Sequence, residues 1–115
     1  MTVRALFIAT LLMFSHLAFA QIVTVINAVE TAPANIILPG DTEGMMTFRP
    51  CDGDCDEDYI RVRLSANTKF SVNGKNKKFA DFRRDLATIK RDARSYALVS
   101  YETETNTVTS IQIAN

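Results

Sequence analysis

Two stretches of the chain concentrate groups able to do chemistry. The first is Cys51-Asp52-Gly53-Asp54-Cys55-Asp56-Glu57-Asp58, which holds five carboxylates in the seven residues 52–58. Clustered carboxylate oxygens in a tied loop suit a hard cation such as Ca²⁺, which takes six to eight oxygen ligands. Asp52, Asp54, Asp56 and Asp58 alternate like the start of an EF-hand loop. However, Glu57 stands where that loop needs Gly, and Arg63 stands where it needs a bidentate Glu. Weak Ca²⁺ binding is therefore set beside a plainer reading, a solvated acidic loop between two strands. The second stretch is residues 69–94, with nine Lys or Arg against three Asp. Lys75, Lys77, Lys78, Arg83, Arg84, Lys90, Arg91 and Arg94 are its candidate ligand-binding residues. On a shared face they would form a patch for a polyanion; on separate faces they are an ordinary solvated surface.

The same residues limit what else the chain can do. The only His is His16, near the N-terminus, and there is no Trp. Residues 21–115 thus have no imidazole for acid–base work or metal binding. Cys51 and Cys55 are spaced CxxxC rather than CxxC and lie among five carboxylates, which disfavour a thiolate. That setting suits a disulfide staple better than a redox pair. No nucleophile–base motif is present, and a domain this small builds no deep cleft for paired carboxylates. The reading is non-enzymatic.

The elements that must position these groups are short strands. Ile22–Val29 is β-branched and apolar, and Ile36-Ile37-Leu38 is a brief apolar run closed by Pro39-Gly40-Asp41. Met45–Arg49 is a further strand, stopped by Pro50. Tyr59–Leu64 alternates, with Ile60, Val62 and Leu64 on one face and Arg61 and Arg63 on the other. Thr68–Val72 repeats this pattern. Asn73-Gly74 is a two-residue hairpin signal, with Lys75–Phe79 as the return strand. Over Asp81–Arg94 the period changes, and Phe82, Leu86, Ile89 and Ala93 recur at helical spacing, with Asp81 as cap or first-turn acid. Tyr96–Glu102 and Thr107–Ile113 are strands joined by a turn at Thr103–Asn106. The expected fold is mainly β with one short helix, arranged as a small OB-like β-barrel, since closure removes exposed edges.

The N-terminus reads as an export signal. Arg4 precedes the apolar run Ala5–Phe14, and Ala18-Phe19-Ala20 offers the small residues that signal peptidase reads. An uncleaved anchor running on through Ile26 is the alternative. Removal of residues 1–20 from the 115 leaves 95, a single small domain. Its charge is 12 basic against 13 acidic residues once Arg4 is lost. That balance gives no general pull toward nucleic acid or anionic membranes, and the expected location is periplasmic or secreted.

Several runs between residues 59 and 113 carry a family resemblance. They are Arg61–Phe70, Asn73-Gly74, Phe79-Ala80-Asp81-Phe82, Tyr96–Tyr101 and the closing Val108-Thr109-Ser110-Ile111-Gln112-Ile113. Together they resemble small exported OB-like β-barrel domains whose function is unassigned, and the resemblance implies a fold more than an activity. The expected role is a binding module of the bacterial envelope for an envelope protein or an anionic polymer. A structural or assembly component joined through sheet edges, and a Ca²⁺-responsive module, are the alternatives.

Overall fold

The computed structural model of the protein describes residues 24–51, 55–89 and 94–115. The expected export segment 1–20, Asp52, Asp54, Lys90 and Arg91 lie outside the described residues. Eight strands are described: β1 Ile26–Thr31, β2 Ile36–Ile37, β3 Met45–Phe48, β4 Ile60–Arg63, β5 Lys69–Val72, β6 Lys75–Lys77, β7 Tyr96–Glu102 and β8 Thr107–Ala114. A 3-10 turn, Pro33–Asn35, separates β1 from β2, and the helix α1, Phe79–Ile89, separates β6 from β7.

Alternation explains most of the strands. Met46 and Phe48 of β3, Val62 of β4, Phe70 and Val72 of β5, and Ala97, Val99 and Tyr101 of β7 point into one core, and the residues between them are more exposed. β8 departs from period two, because Val108 and Ile111 are three residues apart and both buried. An extra residue resolves this. Ser100 pairs with Ser110 while Tyr101 pairs with Val108, so Thr109 forms a bulge, and its hydroxyl donates to the Ser100 carbonyl at 3.1 Å.

The helix begins two residues earlier than the expected Asp81. The Lys78 carbonyl accepts the Phe82 N–H at 2.9 Å, which makes Lys78 the capping residue and places Asp81 in the first turn. Phe79 is drawn in by its neighbours: its ring lies 5.6 Å from Phe70, and Phe82 lies 4.9 Å from the same ring. Those contacts lengthen the apolar stripe to Phe79, Phe82, Leu86 and Ile89.

β8 is the hub. On one side it pairs antiparallel with β7. On the other it pairs parallel with β5 over Lys69–Val72 and, at Arg63–Thr107, with β4. β1 adds to β7, β3 and β2 extend from β4, and β6 extends from β5. The ladder order β1-β7-β8-β4-β3-β2 does not return from β2 to β1, so the sheet is open and an OB-like barrel does not follow from it. A continuous strand would have to bend round the β1–β2 corner. Instead the chain crosses it in the 3-10 turn, which starts at Pro33, a residue with no N–H to give a ladder. The expectation of a mainly β fold with one short helix is met.

Candidate functional site

The β5–β6 hairpin is where the basic run meets a shaped surface. Asn73 (φ 50°) and Gly74 (φ 80°) both occupy the left-handed region, the requirement of a two-residue type I′ turn. The turn is tied to the end of the sheet: the Asn73 N–H donates to the Ile113 carbonyl at 2.8 Å, and the Asn115 N–H to Asn73 Oδ1 at 3.0 Å. Because Phe70 and Val72 are committed to the core, Lys69 and Ser71 must face outward. Thr68, Lys69, Phe70, Asn76 and Lys77 line a hollow of about 350 Å³. A second hollow, of about 610 Å³, shares Lys69 and is walled by Ser65, Asn67, Glu102, Thr107, Thr109 and Ser110. The surface thus joins lysines to a row of hydroxyl and amide groups. Thr68 is bound into the fold beneath it, donating to the Val108 carbonyl at 2.8 Å and accepting from the Ser65 N–H at 2.9 Å.

The structure divides the candidate basic residues. Lys77 pairs with Asp85 of α1 at 3.4 Å, which joins the hairpin to the helix and offsets one charge. Lys75 and Lys78 are exposed on the hairpin side, without an ion pair among the described residues. Arg84 projects from the outer side of the helix and holds Asp81 at 2.6 Å. Arg83 lies on the far flank, beside a hollow of about 190 Å³ lined by Ile37, Leu38, Leu86 and Ala87. Arg94 is exposed beyond the helix. The flank of α1 nearest the hairpin is therefore acidic, and the cationic surface is the hairpin itself. Lys69 belongs to it, although it was not among the sequence candidates; its outward place in the alternation of Thr68–Val72 was the available signal.

The aromatic residues near this surface separate in the same way. Phe70 and Phe79 are consumed by the cluster with Phe82. Tyr96 is about half exposed, at 47 %, on the outer face of the sheet beside Ser71, Gly74 and Gln112.

The acidic stretch has a structural attachment. Cys51 and Cys55 form a disulfide with Cα atoms 6.4 Å apart. The Cys51 carbonyl accepts from the Thr31 hydroxyl at 3.2 Å, the Asn35 amide at 3.1 Å and the Ala32 N–H at 3.3 Å. Arg49 donates to the Cys55 carbonyl at 3.4 Å, and its guanidinium lies 4.5 Å over the Tyr59 ring. The staple thus fastens the corner where β1 passes to β2. Asp56, Glu57 and Asp58 are exposed. Among the described residues, no group of three or more His, Cys, Asp or Glu side chains is arranged to hold a metal ion. Nor is any helix among them long and apolar enough to cross a membrane. No family model, curated protein or solved structure matches the chain, so the resemblance to exported OB-like domains rests on the residues quoted for it.

Proposed function

We propose that this is an exported, non-enzymatic binding module that holds an anionic, hydroxyl-bearing polymer of the envelope on its β5–β6 hairpin. The observation that carries the reading is the joining, at Lys69, of a lysine-flanked hollow to a hollow whose lining is mostly hydroxyl and amide side chains, with one carboxylate, Glu102. Lysine ammonium groups attract the charges of such a polymer, and Ser, Thr and Asn side chains exchange hydrogen bonds with its hydroxyls. The rigid turn and the aromatic cluster beneath fix the spacing of these groups before the ligand arrives, which lowers the entropic cost of binding. Export is supported by the Ala18-Phe19-Ala20 segment and by the Cys51–Cys55 disulfide, which persists in oxidising compartments.

Binding of polygalacturonate, an anionic polysaccharide, tests this against neutral dextran. The purified protein should retain polygalacturonate at low salt, lose it steeply as salt rises, and ignore dextran. Lys69→Glu combined with Lys75→Glu and Lys78→Glu should weaken binding at least tenfold, whereas Arg83→Glu on the far flank should leave it nearly unchanged. Failure to bind polygalacturonate, binding that is insensitive to salt, or equal binding of dextran would refute the proposal.

A further inference from the structure

The open edge of β1 is a second surface with its own chemistry. The Val25 carbonyl accepts the Thr103 N–H at 3.1 Å, which sets the phase of the β1–β7 ladder. Residues 25, 27, 29 and 31 exchange their bonds with β7, so Ile26, Ala28 and Glu30 direct their N–H and C=O groups away from it. Ala32, next in that series, already donates to the Cys51 carbonyl. The stapled corner thus closes one end of the edge, and the three residues before it are left without a strand partner among the described residues. Ile26 is also 54 % exposed and Val25 is 53 % exposed, an apolar pair at the open end.

Carboxylates predominate around this edge. Glu30 is exposed on the strand itself. Glu102 stands opposite Ile26, and Glu104 follows in the adjoining turn. At the other end Asp56, Glu57 and Asp58 follow the disulfide. Arg49, the cation of that corner, is engaged with Tyr59 and the Cys55 carbonyl. A second copy of this chain is a poor occupant. Antiparallel pairing of two β1 edges sets the Glu102 end of one against the Asp56–Asp58 end of the other, and parallel pairing sets each acidic end against itself.

We propose that β1 accepts an extended, basic peptide segment by strand addition. Backbone bonds to Ile26, Ala28 and Glu30 would supply register, an apolar side chain would cover Ile26, and Lys or Arg side chains would meet the flanking carboxylates. This site borders the hairpin surface at Glu102, which lines the larger hollow, but it uses none of the hairpin lysines.

The test uses a nine-residue peptide of alternating Lys and Val, and its counterpart of alternating Glu and Val. The Lys peptide should slow amide exchange at Ile26, Ala28 and Glu30 at least tenfold and leave Asn27 and Val29 nearly unchanged. The Glu peptide should do neither. Ala28→Pro removes an outward N–H that takes no part in the β7 ladder, a position where an edge strand tolerates proline. It should keep the thermal midpoint within a few degrees and weaken the Lys peptide at least tenfold. Glu30→Lys, which leaves the backbone alone, should weaken it at least threefold. The triple hairpin variant that removes polymer binding should still bind the peptide normally. Equal binding of both peptides, unchanged binding by both Ala28→Pro and Glu30→Lys, or no protection at all would overturn the proposal. So would a peptide-free dimer in sedimentation that protects these same amides, which would make the occupant a second copy.

Discussion

β1 and the β5–β6 hairpin both hang on the central pair β7–β8, one through β7 and the other through β8, yet they are finished in opposite ways. The hairpin is sealed: Phe70 stacks on Phe79 and Phe82, Lys77 is paired to the helix, and Asn73 is bonded to the end of β8. β1 is fully buried only at its last residue, Thr31, whose hydroxyl donates to the Arg49 carbonyl at 2.5 Å; Val29 is half-buried against the core, and the even-numbered residues are all exposed. One periphery therefore offers side chains from a rigid base, and the other offers backbone. That contrast separates the two proposed ligands: a polymer read by side-chain charge at the hairpin, and a peptide read by main-chain hydrogen bonds at β1.

Three experiments probe the contrast, in order of expected size. Phe82 is fully buried at the meeting point of helix and hairpin. Phe82→Ala should cost about 3–5 kcal/mol in urea unfolding, the usual range for emptying a buried phenylalanine site. A loss below about 1 kcal/mol would mean that the aromatic cluster is not what seals the hairpin. Replacement of both Cys51 and Cys55 by Ser should cost roughly 2 kcal/mol, by loop-closure entropy for so short a loop. The accompanying rise in amide exchange should fall at Thr31 and Ala32 and spare residues 69–77. Equal loosening of both regions would dissolve the distinction between them. The smallest effect is expected of the Lys77–Asp85 pair, whose side chains are about one-third exposed. A double-mutant cycle with Lys77→Met and Asp85→Asn should give a coupling of about 0.2–1 kcal/mol that shrinks with added salt. A coupling well above that range would assign the sealing of the hairpin to charge rather than to aromatic packing.

Much of the molecule was legible one segment at a time. Tyr96–Glu102 occupies the same residues as the expected strand, because a run rich in aromatic and apolar residues, bounded by polar turn residues at Thr103–Asn106, favours an extended conformation. Asn73-Gly74 made the expected turn because both residues tolerate positive φ. The helix starts before Asp81, because packing against Phe70 takes Phe79 out of the return strand and into the helix. The basic run was less legible. Composition showed nine cations, but whether Arg83 and Lys77 share a face depends on how α1 sits on the sheet, and the two prove to lie on opposite flanks. Lys69 was overlooked because its importance comes from the hollows on either side of it, whose walls are drawn from β8 and from the β5–β6 hairpin.

By itself the sequence determined the periodicities, and through them the element types, the buried faces, the hairpin turn and the pairing of two cysteines close enough to join. Each of these depends on interactions within a few residues, where sterics and hydrophobic alternation act without help from the rest of the chain. Tertiary structure alone decided that β8 sits at the centre with parallel partners β4 and β5, that the sheet stays open at the β1–β2 corner, and that Lys77 of the hairpin meets Asp85 of the helix. Those outcomes turn on contacts between residues dozens of positions apart. A strand's alternation states which side chains it must bury but is silent on which neighbour its backbone will find.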